Sequence, residues 1–286
     1  MDRLKAFSTI AVQAGRGELA FPTSVNTSLK IKRVLDDPDC SLEQAAKLLM
    51  TAPLIAARAV AMANSAAYNR TGAEITSARQ AAMRLGFKTL RSLVAAEIVR
   101  EFSCTIPEPE VRALARQLWE HTAHVAALAH LFARRVTHLD PDTAMFAAIV
   151  HEIGGFYLLY RAHDFPGLLD GECESWQEFG QKAIGRRVLG KLSVPKTVTA
   201  AVEALWFGVH ARPPLTLGDT LLLAKELAPV TSPFRRAAAI TGEHPAPLID
   251  FEVGEETLQE ILQDSSIRSR LSRRVAAGLA PGVGLH

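Results

Sequence analysis

His121, His151 and Glu152 carry the most specific chemistry in this chain. His121 falls on an apolar stripe formed by Val111, Leu114, Leu118, Val125, Leu128 and Phe132 at three-and-four spacing, so its ring should face the interior of a long helix. His151-Glu152 stands beside Ala144, Ala147 and Gly154, small residues that let helices approach closely. An imidazole from one segment and a histidine–carboxylate pair from another begin a metal site. A catalytic metal needs several converging N and O ligands and an open position where bound water becomes a nucleophile. A structural role, with both histidines buried and hydrogen-bonded, is the competing expectation.

Weaker candidates are basic. Arg84, Lys88 and Arg91 recur at helical spacing around Gly86, and Arg186, Arg187 and Lys191 form a second small cluster. Such groups can receive an acidic partner or a phosphate, although most are solvated faces. Asn64-Ser65-x-x-Tyr68 could form a polar site, but helix termination explains it more simply. Cys40, Cys104 and Cys173 are odd in number, widely spaced and far in sequence from histidines. This argues against both a disulfide framework and thiol catalysis. No P-loop, dinucleotide glycine pattern or Gly-x-Ser-x-Gly elbow occurs.

The positioning elements read as helices. Hydrophobic residues make up 48% of the 286 but aromatics only 6%, so Ala and Leu dominate, as suits closely packed helices. A short helix through Leu4, Phe7, Ile10 and Val12 should end at Gly15 or Gly17, and another should run from Thr23 to Leu35. Ser41 and Gln44 form a capping box opening a helix through Met50. Pro53 suits the first turn of the next, with Leu54, Ala57 and Ala61 on its apolar face, ending at Asn64-Ser65. Ser77 and Gln80 open a further helix that Gly86 ends, and Phe87, Leu90, Val94 and Ile98 line the one after it. Pro107 and Pro109 break the pattern between Ser103 and Glu110. Helices are then expected from Val111, over Asp142–Arg161, Trp176–Leu192 and Lys196–Phe207, after Pro213-Pro214, and from about Glu255. No alternating strand pattern or internal repeat is visible. The expected fold is all-α, with the chain divided into 1–20, 21–105, 106–230 and 231–286.

Two stretches, APLIAARAVAMANSAAY and ITSARQAAMRLGFKTLRSLV, resemble the signature of HDOD domains, bacterial signalling modules related to HD-type phosphohydrolases. Pro53, Leu54, Asn64, Ser65, Tyr68, Ile75, Ser77, Leu85 and Gly86 match, while Ala52 replaces the usual Asp. Leu118-Trp119-Glu120-His121-Thr122 and His151-Glu152-Ile153-Gly154 are similar to later motifs, and the similarity runs from about Phe21 to Leu227. It implies an N-terminal helical subdomain on an HD-like core. It also implies departures: metal-binding relatives have His-Asp where this chain has His151-Glu152. Further family histidines correspond to Gln181 and to Leu205-Trp206, with His210 nearby.

The resulting expectation is a non-catalytic signalling module acting by protein–protein recognition. It has no cofactor or metal, and Arg84, Lys88 and Arg91 are its partner-facing candidates. The alternatives are a metal-dependent phosphohydrolase using His121, His151 and Glu152 on a nucleotide or cyclic dinucleotide, and a nucleotide-binding sensor without turnover. A net charge of +2 provides no drive toward nucleic acid or anionic membrane. With no secretory signal and no apolar run of about 20 residues, a cytoplasmic location is expected, with an unidentified signalling protein as partner.

Overall fold

The computed structural model describes residues 3–65, 68–69, 72–170, 176–206 and 214–234. The protein is all-α, with no strand among the described residues. Helices α1 (Arg3–Gly15), α2 (Thr23–Asp36), α3 (Leu42–Met50), α4 (Pro53–Ala63) and α5 (Ala78–Cys104) form the N-terminal part. Then follow α6 (Pro109–Arg135), α7 (Pro141–Val150), α8 (Ile153–Arg161), a π-helical segment (Trp176–Gly185), α9 (Arg186–Lys191), α10 (Lys196–Leu205) and α11 (Leu217–Glu226). The expected helix near Glu255, together with Cys173 and His210, lies outside the described residues.

Local chemistry accounts for most boundaries. Ser41 Oγ accepts from Gln44 N while Gln44 Oε1 accepts from Ser41 N, the reciprocal box that opens α3. Pro53 begins α4, where its missing N–H costs nothing. The buried face of α4 is Ile55, Ala59 and Ala63, whereas Leu54, Ala57 and Ala61 are exposed. The expected stripe is therefore the solvent side: an Ala-rich helix has almost the same period on either face, and only neighbouring helices decide between them. Asn64 closes this region by donating to Ile75 O at 2.7 Å and accepting from Ile75 N at 2.8 Å, a structural task for the Asn-Ser turn.

Gly86 adopts φ 70° and ψ 170°, a non-helical combination reserved for glycine, so α5 is two helical stretches that meet at Gly86, as the sequence leads one to expect. Beyond the kink Leu90, Val94 and Ile98 are buried as expected. The helix expected over Asp142–Arg161 is instead two, α7 and α8, separated at His151-Glu152. Likewise Trp176–Leu192 divides into a π-helical segment and α9.

One hydrophobic cluster runs from Ala6 to Phe234 and crosses the Ser103–Glu110 break, because α5 packs on α7 and α8. Phe21, Phe102, Tyr157 and Tyr160 form its aromatic centre, with ring centroids 5.6 to 6.5 Å apart. Buried Arg161 adds a polar tie, donating to Tyr157 Oη at 3.1 Å, to Gln13 Oε1 at 3.3 Å and to Asp164 Oδ2 at 2.8 Å. Residues Pro141–Asp164 are apolar and long enough to cross a membrane. However, 83% of the most apolar window is buried, which makes this the core of a folded protein.

Candidate functional site

The break between α7 and α8 builds the site. His151 ends α7, and Glu152, with φ −110° and ψ 22°, precedes the first turn of α8. The Glu152 carbonyl accepts from Gly155 N at 2.9 Å and Phe156 N at 3.2 Å, restarting the helix. Its side chain makes no cap and points into the interior. Gly154 permits this arrangement: a Cβ there would lie 2.7 Å from Gly180 O and 2.8 Å from Gly185 Cα. Helix α6 delivers His121 from the opposite side.

The three sequence candidates converge. One ligand atom from each of His121, His151 and Glu152 lies within 4.8 Å of the others, and the residues are 2%, 4% and 1% exposed. His121 Nδ1 donates to Val230 O and His151 Nδ1 to Ala148 O, both at 2.6 Å, since a carbonyl can only accept. Each ring thus turns Nε2 toward Glu152 Oε1, at 3.9 Å for His121 and 3.7 Å for His151. Backbone-anchored imidazoles of this kind are typical of metal ligands.

Two residues outside the sequence motifs complete the cluster. Lys225 Nζ donates to Glu152 Oε1 at 2.9 Å, and Ser232 Oγ donates to Glu152 Oε2 at 2.7 Å. Both carboxylate oxygens are therefore engaged by the chain itself. Burial alone would raise the Glu152 carboxyl, but the Lys225 ammonium in contact with Oε1 holds it down at about 2, ionised. Burial pushes His151 down to about 3, against the pull of Glu152, so its ring is neutral with the Nε2 lone pair facing the carboxylate. A Thr216–Asp219 capping box opens α11 and places Lys225 in its last turn, where a cation also complements the helix dipole. The sequence carries no local signal for Lys225: only the packing of α11 on α6 decides that the Leu221 side of the helix turns inward.

The segment after α11 closes the site. Val230 O accepts from His121 Nδ1, Thr231 O accepts from Gln117 Nε2 at 3.1 Å, Ser232 reaches Glu152, and Phe234 packs against Gly155.

The basic candidates lie elsewhere and do not share one site with the histidines. Arg84 donates to Asn69 Oδ1 at 2.5 Å, and exposed Lys88 pairs with Asp140, which also caps α7. Arg91 donates to Leu35 O through Nε at 2.8 Å and Nη2 at 2.6 Å, capping the end of α2. Each is tied to a different loop or helix end. Arg186 pairs with Glu203 at 2.5 Å and stacks over Trp206.

The chain as a whole resembles known proteins. Residues 21–206 match the HDOD domain family. A crystal structure from Shewanella amazonensis SB2B, named "Putative metal-dependent phosphohydrolase", aligns with TM-score 0.66 and 21% identity, covering 93% of this chain and 99% of that one. An HDOD domain protein of unknown function from Geobacter sulfurreducens aligns with TM-score 0.57 and 18% identity over 96% and 95% of the two chains. A "Putative signal transduction protein" from Marinobacter aquaeolei VT8 gives TM-score 0.61 and 17% identity; the match covers 93% of this chain and 61% of that one. Comparison with curated proteins gave no significant match. Identities this low establish a shared helical architecture, and the family model, spanning well over half the residues, establishes kinship: the chain belongs to the HDOD domain family.

Proposed function

We propose that this protein is a signalling module that recognises another protein and does not hydrolyse a substrate. The observation that carries this reading is the engagement of both Glu152 oxygens: Lys225 donates to Oε1, Ser232 donates to Oε2, and the residue is 1% exposed. A hydrolytic metal needs free carboxylate oxygen and an open position for water. Here an ammonium stands on the oxygen nearest both imidazoles, and residues 230–234 cover the cluster. The arrangement does not fit a catalytic divalent ion. The HD-like scaffold is then left with packed helices and an outer surface, and recognition needs no more.

Lys88 is the most accessible of the basic candidates for a partner-facing surface, since Arg84 and Arg91 are partly buried by their own contacts. The test of the non-catalytic reading is turnover. Purified protein incubated with Mg²⁺, Mn²⁺ or Fe²⁺ should leave cyclic dinucleotides, nucleotides and a generic phosphodiester unhydrolysed above the buffer rate. Robust hydrolysis, lost in a folded His151→Ala variant, overturns the assignment.

A further inference from the structure

We propose that Lys225 Nζ is a built-in cation occupying the electrostatic place of a metal ion in the His121–His151–Glu152 cluster, so that the site excludes divalent cations until that lysine is neutralised. The proposal rests on the non-catalytic reading only in taking the native site to be metal-free.

A buried carboxylate requires a positive partner or neutralisation, because its desolvation is otherwise uncompensated. Two solutions are available to this cluster. One is a metal ion, for which the donor set is half prepared: two imidazoles are held at Nδ1 by carbonyls, and their Nε2 atoms lie 3.9 and 3.7 Å from one carboxylate oxygen. The other is a side-chain ammonium, and Lys225 supplies it at 2.9 Å from that same oxygen. The two exclude each other. An ion bound to Oε1 at the usual ~2.1 Å would sit no more than ~5 Å from the ammonium, within a site where water screens little. Lys225 also reaches the cluster from outside it. Its side chain is 23% exposed against 1% for Glu152, as expected of an aliphatic stem that buries along the core and carries its charge to one point.

Replacing the ammonium by a neutral group leaves an ionised carboxylate beside two imidazoles, a three-donor N/O set that suits Zn²⁺ or Mn²⁺. Full-length wild type, Lys225→Met and Lys225→Arg would be stripped with chelator, exchanged into chelator-free buffer and titrated with ZnCl₂ and MnCl₂ by calorimetry. Melting curves with and without each metal provide a second readout. Lys225→Met should bind one Zn²⁺ per chain at least ~10-fold more tightly than wild type and melt higher with it. Adding His151→Ala should abolish that gain, while Lys225→Arg, which keeps the charge, should behave as wild type. If Lys225→Met unfolds in chelator, Zn²⁺ should restore its helical circular dichroism. The proposal falls if Lys225→Met binds no more tightly than wild type, if Zn²⁺ fails to restore an unfolded variant, or if wild type takes up one ion through His151. Metal uptake by wild type without turnover would sink this inference and spare the signalling reading, whereas metal-dependent turnover would sink both.

Discussion

Glu152 and His151 are adjacent and equally inaccessible, yet burial acts on them in opposite ways because only one has a cation in contact. Lys225 keeps the carboxylate charged, while the imidazole, hydrogen-bonded to Ala148 O, stays neutral. This has a consequence in acid. The unfolded ring takes its proton near 6.5, but the folded ring resists until about 3. Between those values the unfolded chain binds more protons, so stability is fully present above 6.5 and declines as pH falls toward 3. Glu152 acts in the same direction, its contribution present above 4.5 and lost toward 2. Surface His163, raised by its hydrogen bond to Glu108, opposes this weakly as a solvent-exposed pair. Urea midpoints of a His163→Gln background should therefore fall steadily from pH 7 to pH 4. A flat profile across that window would contradict a neutral buried His151.

At the scale of elements, glycines decide where helices bend and how closely they approach, for two separable reasons. Gly86 has φ 70° and ψ 170° with nothing within 4 Å of a would-be Cβ, so substitution there meets backbone strain alone. Gly154 has ordinary helical geometry, but a Cβ would press on the backbone at Gly180 and Gly185. Gly86→Ala should cost roughly 1–3 kcal/mol in denaturant unfolding and leave packing around the histidines unchanged. Gly154→Ala should cost a similar ~1–3 kcal/mol by overpacking, and should in addition move α8. The His151 ring resonances in NMR should shift in the second variant and not in the first. The break between α7 and α8 sits at Glu152, with φ −110° and ψ 22°, and an apolar stretch with helical periodicity on both sides of it looks continuous in sequence.

On the scale of the whole molecule, the second half of α5 stitches the two parts of the chain together. Arg91 caps α2, and Lys88 meets the Asp140 carboxylate that caps α7. Charge reversal therefore does not act uniformly on Arg84, Lys88 and Arg91. Arg91→Glu should destabilise by roughly 1–2 kcal/mol, because it removes hydrogen bonds to a helix-terminal carbonyl. Lys88→Glu loses only an exposed pair and should cost less than about 1 kcal/mol. That makes Lys88→Glu the clean probe of partner capture in pull-downs from native extract. Reduced recovery of specific proteins at unchanged melting temperature supports recognition through this face, and undiminished recovery moves the interface elsewhere.

The linear chain of residues already determined the helical class and most helix boundaries, because these depend on local rules, and it named His121, His151 and Glu152 as candidates without deciding that they meet. Caps at Ser41 and Ser77, proline at Pro53, three-and-four apolar spacing and the family motifs all act within a few residues or in a recognisable order. Tertiary structure alone decided which face of α4 is buried, where α7 gives way to α8, and that Lys225 and Ser232 hold the Glu152 carboxylate. Lys225 is 73 residues from Glu152 and Ser232 is 80. No periodicity links positions so far apart; the pairing exists only because α11 packs against α6 and the chain then returns across the site. A lysine reads as surface until the fold brings it to a buried carboxylate.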